Sequence, residues 1–153
     1  MAIFAFTAAM VLGAAPAMAK DIPAGGLTIQ EMQQWLLNEG YRAQIKNYQD
    51  GDQYISSSAE GTNFTIDMYD CKNGRCASLQ FESAFDLTNG ISAAKVNEWN
   101  NTKRYARAVI DDQGDPSLRY DANLSPARTY EGFSDDFAIF RGFISDFKTF
   151  IGF

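Results

Sequence analysis

The fold is organised around the sequence NFTIDMYDCKNGRCASLQFESAF, which runs from Asn63 to Phe85. Two runs in which apolar and polar residues alternate flank Asn73-Gly74, the dipeptide most typical of a two-residue type I′ turn. Both turn positions need positive φ, which Gly adopts freely and Asn tolerates well. The stretch therefore predicts an antiparallel hairpin in which Lys72 faces Arg75.

This register sorts the side chains of the hairpin onto two faces. On the apolar face, Met68 lies opposite Leu79 and Ile66 lies opposite Phe81. A slip of one residue would mix the two faces, so the pattern favours this register. The other face carries mixed polar residues and one aromatic: Thr65, Asp67, Tyr69, Ser78, Gln80 and Glu82. We interpret this polar face as a partner-binding surface, and the alternative is an ordinary solvated sheet face.

Cys71 and Cys76 lie opposite each other in the same register. The pair that flanks the turn is hydrogen-bonded, so the two cysteines form the next, non-hydrogen-bonded pair, whose β-carbons lie near disulfide distance. No C-x-x-C motif and no expected helix N-terminus is present to activate a thiol. We predict a structural disulfide rather than a redox centre.

The first residues are typical of a secretory signal peptide, predicted over residues 1–19. Ala2 to Gly13 is nearly all apolar, and Ala17-Met18-Ala19 is an A-x-A cleavage site. The segment lacks a Lys or Arg, and the alternative is a buried apolar N-terminal segment. Cleavage would leave residues 20–153 as a single domain without a membrane span, periplasmic or secreted, where one disulfide is expected.

Composition limits the classes of function. The chain has 153 residues, of which 46% are hydrophobic and 21% charged, as expected for one globular domain. The formal net charge of −6 argues against nonspecific binding to nucleic acid or anionic membrane. No histidine, nucleophile elbow or phosphate-binding glycine loop is present in the sequence. We therefore predict no enzyme activity, no cofactor and no metal site.

Capping signals and periodicity predict the other elements. Thr28 and Glu31 form a T-x-x-E capping box, which starts a helix that ends at Gly40. A three-residue loop at residues 49–51 would pair Ile45 with Ile55, and a turn at residues 60–61 would continue the meander into the central hairpin. The later elements are a helix at about 92–102, strands near 105–111 and 118–124, and a helix over 130–151.

The last predicted helix carries an apolar stripe at intervals of three and four residues. Its members are Phe133, Phe137, Phe140, Ile144, Phe147 and Ile151. We expect this stripe to cover the apolar face of the sheet. The predicted order is α-ββββ-α-ββ-α, an α+β fold in which helices pack on an antiparallel meander sheet.

The sequence resembles the YbjN-domain family, also called bacterial sensory transduction regulators. The matching residues are Glu39-Gly40-Tyr41-Arg42, Phe64-Thr65-Ile66, Cys71 and Cys76, Asn97-Glu98-Trp99-Asn100, Arg104-Tyr105-Ala106-Arg107 and the turn at 111–114. The resemblance implies a fold similar to type III secretion chaperones, which bind protein partners and often form homodimers. It transfers no catalytic residue. The signal peptide and disulfide would place this chain in an exported branch.

Three other clusters have ordinary structural interpretations. Asp111, Asp112 and Asp115 could ligate calcium, but they lack the EF-hand order, so a polar turn is favoured. The basic cluster Lys103, Arg104 and Arg107, with Tyr105, could bind nucleic acid, but the net charge disfavours this function. We expect Arg107 to pair with Asp121 across two strands and Trp99 to lie in the core.

Three functions compete on this basis. The first is a non-catalytic, exported interaction or regulatory module with a protein partner or a second copy of itself. The second is a periplasmic domain that binds a small molecule or envelope ligand between the last helix and the sheet. The third is a hydrolase that uses carboxylates such as Asp67 and Glu82.

Overall fold

The computed structural model describes residues 19–153, so residues 1–18 of the predicted signal peptide lie outside the described part. Three helices and six strands follow one another in the predicted order. They are α1 (Ile29–Asn38), β1 (Gln44–Asn47), β2 (Gln53–Ala59), β3 (Thr62–Lys72), β4 (Arg75–Ala84), α2 (Ala93–Thr102), β5 (Arg107–Ile110), β6 (Pro116–Asn123) and α3 (Tyr130–Ile151). The predicted α+β class and element order are confirmed.

The first four strands form the predicted antiparallel meander. Ile45 pairs with Ile55, Ile55 pairs with Ile66, and Met68 pairs with Leu79. Asn73 and Gly74 both have positive φ, at 53° and 79°, as a type I′ turn requires. These registers follow from the turns, because a two- or three-residue loop leaves few ways to pair its flanking strands.

The last two strands extend the same sheet in the order β1-β2-β3-β4-β6-β5. β6 lies beside β4, with Phe81 opposite Tyr120, and β5 forms the far edge beyond β6. The chain therefore crosses from β4 through α2 to the edge and returns to fill the intervening position. This arrangement was not predicted.

Helices α1 and α3 pack on one face of the sheet, and α2 lies along the edge strand β5, where Asn100 binds both the N–H and the carbonyl of Ala108. Phe137 and Phe140 of α3 contact the rings of Phe64 and Phe81, and Trp35 of α1 contacts Phe137. Trp99 of α2 is fully buried against α3, as predicted for a core residue. The opposite face, here called the outer face, is left uncovered by the described residues. The fold is thus two layers, with the aromatic core between the sheet and the helices.

The helix ends follow the capping signals. Thr28 and Glu31 exchange both hydrogen bonds of a capping box. Gly40 has a φ of 87°, and the N–H of Tyr41 reaches back to the carbonyl of Leu36, which satisfies the last turn of α1. Ser92 caps α2 from just outside the helix, as expected.

Two details of the strands differ from the prediction. The strand expected from residue 105 begins only at Arg107, because Tyr105 has a φ of 68°. Asp70 has a φ of 54° inside β3 and has no Cα partner between the pairs Tyr69–Ser78 and Cys71–Cys76. The central hairpin is therefore bent just before its disulfide, a feature that the alternating pattern does not reveal.

Candidate partner-binding face

The six polar residues predicted as a binding surface lie together on the outer face of β3 and β4. They are Thr65, Asp67, Tyr69, Ser78, Gln80 and Glu82. Tyr69 is 48% exposed, the most accessible of the set, whereas Gln80 is buried. The geometry brings all six together, with Tyr69 as the side chain best able to contact another molecule.

On the β5 side of the outer face, charged side chains neutralise one another. Nε of Arg119 donates to Oε1 of Glu82 at 2.9 Å, and Arg107 pairs with Asp121 as predicted. Gln80 donates to the same Asp121 carboxylate at 2.6 Å. Arg107 and Arg119 lie opposite each other on neighbouring strands, and each is matched by its own acid. Pairs this exposed stabilise the fold by about 1 kcal/mol at most.

On the β1 side, the outer face includes Tyr48, which the sequence analysis did not predict as part of this surface. Its hydroxyl donates to Oδ1 of Asp67 at 2.8 Å, and its ring stacks on Tyr54 with 4.3 Å between centroids. Burial, then this hydrogen bond, raises the pKa of Tyr48 above its ordinary value. The pKa of Asp67 is also raised, because the effect of burial exceeds the opposite effect of the hydrogen bond from Tyr48. The predicted three-residue loop at residues 49–51 already places Tyr48 at the end of β1, and this position was the one sequence signal for its place beside β3.

Two hollows meet at Tyr69 and Asp70. The tip hollow, about 780 Å³, lies between the β1–β2 loop and the end of β3. Its walls include Tyr48, Asp50, Asp52, Asp67, Tyr69 and Asp70, with Ile29 and Met68 supplying apolar surface. The side hollow, about 530 Å³, lies over β4 and β6. Tyr69 is therefore a ridge between two concave surfaces.

The predicted disulfide joins Cys71 to Cys76 beside the tip hollow. The N–H and the carbonyl of Cys76 both bond to Leu27, at 2.8 Å and 3.2 Å, rather than to Cys71. The two cysteines are therefore a non-hydrogen-bonded pair, with Cα atoms 3.9 Å apart. The disulfide and its predicted pairing are confirmed. Cys76 is buried and Cys71 exposed.

The other clusters take part in local structure. The Asp111 carboxylate accepts the backbone N–H groups of Gln113 and Asp115, as in a polar turn. Within residues 19–153, no group of three or more His, Cys, Asp or Glu side chains is arranged to hold a metal ion. In the basic cluster, Lys103 pairs with Asp146 and Arg107 with Asp121.

None of the three helices in residues 19–153 combines the length and apolar composition needed to cross a bilayer.

No curated protein matches the sequence. A family model does match: YbjN, described as "Putative bacterial sensory transduction regulator", covers residues 28–153, from the N-cap of α1 to the end of α3 and beyond. The match includes every helix and strand described above, and the chain therefore belongs to the YbjN family.

Proposed function

We propose that this chain is a non-catalytic regulatory module that acts by binding a protein partner through its outer face. The observation that carries the proposal is the placement of α1 and α3 on one face of a six-stranded sheet, with α2 along the β5 edge and the other face uncovered in residues 19–153. Tyr69 stands on that uncovered side and is 48% exposed. Tyrosine is enriched in binding surfaces because it offers a large apolar area and a polar end.

The family description supports the regulatory part of this proposal. The family resemblance assigns no catalytic residue to this chain. The chaperone-like fold that the family resemblance implies stays a prediction, and it would agree with a protein partner or a homodimer.

The two rival functions have less support from the geometry. A ligand between α3 and the sheet would need space where Phe64 and Phe81 already contact Phe137 and Phe140. A hydrolase would need two cooperating carboxylates, but Glu82 is held by Arg119 and Asp67 accepts the hydroxyl of Tyr48. These contacts support a structural role for the two carboxylates on the sheet surface rather than a catalytic one.

We further propose that the module is exported and works in the periplasm or outside the cell. The apolar segment and A-x-A site of residues 1–19 support this location. The disulfide between Cys71 and Cys76 supports it as well, since disulfides persist mainly in oxidising compartments.

The experiment is an affinity capture of partners from periplasmic extract with wild-type protein and Tyr69→Ala. Tyr105→Ala is the matched control, because Tyr105 is 62% exposed but precedes β5 at the far edge of the sheet. We expect Tyr69→Ala to reduce capture at least fivefold and Tyr105→Ala to leave it unchanged. Light scattering separates a homodimer from a different partner. Equal capture by all three proteins would contradict the proposal.

A further inference from the structure

β3 is longer than the strand that pairs with it on one side. Its pairing with β2 stops at Asp67, opposite Tyr54, whereas β3 continues to Lys72. Residues 68–72 therefore have β4 on one side and no paired strand on the other in the described part of the chain. Such an edge presents backbone N–H and C=O groups that an extended segment of another chain can bind.

The tip hollow lies directly against this edge. The β1–β2 loop forms its other wall, and its volume of about 780 Å³ falls in the range of natural ligand sites. A strand added to β3 would lie about 4.8 Å from it, with successive side chains pointing to opposite faces. One set of these side chains would meet Asp67 and Tyr69 on the outer face. The other set would meet Met68 and Ile29.

The charge of the hollow is one-sided. Among residues 19–153, four carboxylates line it, from Asp50, Asp52, Asp67 and Asp70, and no Lys or Arg does so. None of the four forms a salt bridge within residues 19–153, in contrast to the neutralised acids on the β5 side of the same face. Hydroxyl groups donate to two of them, Tyr48 to Asp67 and Ser78 to Asp70, and these neutral donors do not cancel the negative charge of the carboxylates.

We propose that the tip hollow binds an extended, basic segment of a protein partner, added as a strand to residues 68–72 of β3. Lys or Arg side chains of that segment meet the carboxylates, and the alternate apolar side chains meet Met68 and Ile29. The exposed rings of Tyr48 and Tyr69 give further favourable surface to a cation. This inference rests on the proposed function and names the chemistry of the partner.

The bend at Asp70 sets the length of the segment. Because Asp70 has a φ of 54° and leaves the regular ladder, it divides the edge into short regular parts on either side. A bend of this kind also discourages pairing with a long, flat strand of another molecule. The edge therefore suits a short segment rather than a whole sheet.

The probe is a blocked hexapeptide of alternating lysine and valine, titrated into the purified protein by calorimetry. We expect saturable binding that Asp67→Asn/Asp70→Asn weakens about three- to tenfold, as expected for the loss of two exposed ion pairs. Asp112→Asn/Asp135→Asn removes the same charge at exposed positions outside the hollow and should leave the affinity unchanged. Asparagine tolerates positive φ as well as aspartate does, so the substitution of Asp70 keeps the backbone bend.

Two further peptides test the strand pairing and the charge. The same peptide methylated on alternate backbone nitrogens cannot donate to the β3 edge and should lose binding. The glutamate analogue should not bind. Absence of saturable binding by the lysine peptide, full binding by the methylated peptide, or equal affinity for the glutamate peptide would overturn the inference.

Competition separates this inference from the proposed function. If a partner is captured through Tyr69 but the lysine peptide neither binds nor competes, the proposed function stands and the inference is wrong. If the peptide binds in the tip hollow but no partner is captured, the proposed function fails and the peptide site stands.

Discussion

Arg75 and Glu31, which lie 44 positions apart in the chain, form a two-pronged ion pair that ties the central hairpin to the first helix. Nη1 of Arg75 donates to Oε2 of Glu31 at 2.8 Å, and Nη2 donates to Oε1 at 2.9 Å. Nη1 also donates to the carbonyl of Gly26 at 2.8 Å. The same carboxylate accepts the N–H of Thr28 in the capping box, so one side chain serves both contacts.

Arg75→Ala should destabilise the protein modestly and lower its melting temperature by about 3 °C. The pair is bidentate, but both side chains are about one-third exposed, and solvent screening limits its contribution. Arg107→Ala removes a more exposed pair with Asp121 and should have a smaller effect. Equal melting temperatures for wild type and Arg75→Ala would contradict the prediction.

The contribution of this pair should depend on pH in the acid range. The hydrogen bond from Arg75 holds the pKa of Glu31 below its ordinary value of 4.5. A carboxylate with a lowered pKa in the folded state contributes stability that is complete above its unfolded pKa and is lost as pH falls through the folded pKa. The difference in unfolding free energy between wild type and Arg75→Ala should therefore be constant above about pH 5.5 and shrink below pH 4.5. Urea titrations at several pH values would measure it, and a gap that widens in acid would count against this role.

Cys71→Ser/Cys76→Ser should fold and melt several degrees lower. The bond closes a short loop, for which the chain-entropy model gives a stabilisation of about 2 kcal/mol. The hairpin tip keeps two other anchors, the bridge between Leu27 and Cys76 and the Arg75 contacts. Circular dichroism and thermal melts would check the double variant. Free thiols in protein purified from the periplasm, or a variant that does not fold, would show that the prediction is wrong.

Gly26→Ala should be more destabilising than Gly51→Ala. Both glycines have similar positive φ, at 90° and 97°, so the backbone cost of a side chain should be similar at the two positions. A Cβ on Gly26 would lie 1.9 Å from the carbonyl oxygen of Cys76, whereas Gly51 has open space around it. The difference in melting temperature between the two variants would measure the cost of a side chain where the N-terminal segment closely approaches β4. Equal losses would mean that this segment can move away at little cost.

Export should remove residues 1–19. The A-x-A site ends at Ala19, immediately before the first charged residue, Lys20. The backbone N–H of Tyr130 donates to the carbonyl of Lys20, so the new N-terminus would begin at a residue already bonded to α3. Intact-mass measurement of protein from the periplasm would check the site, and a chain that still begins at Met1 would refute it.

Local signals in the chain are enough to predict the hairpins, the helix caps and the face of each strand. The hairpin turns, the capping box at Thr28 and Glu31, and the opposition of Cys71 and Cys76 all follow from residues close together in the chain. A turn fixes the register of its two strands through a few dihedral angles, so the whole meander from β1 to β4 could be predicted. The face of each strand and the aromatic stripe of α3 followed from periodicity alone.

The position of β6 and the long-range side-chain contacts depend instead on how whole elements pack together. No turn connects β4 to β6, so nothing local sets the pairing of Phe81 with Tyr120. The Arg75–Glu31 pair and the Tyr48–Asp67 bond likewise join side chains that approach only when the layers pack. The tip hollow lies where β3 continues beyond Asp67, its last residue paired with β2. The unpaired length of β3 is visible only in the assembled sheet. Contacts of this kind depend on how whole elements bury their apolar faces, which the pattern of any single segment does not specify.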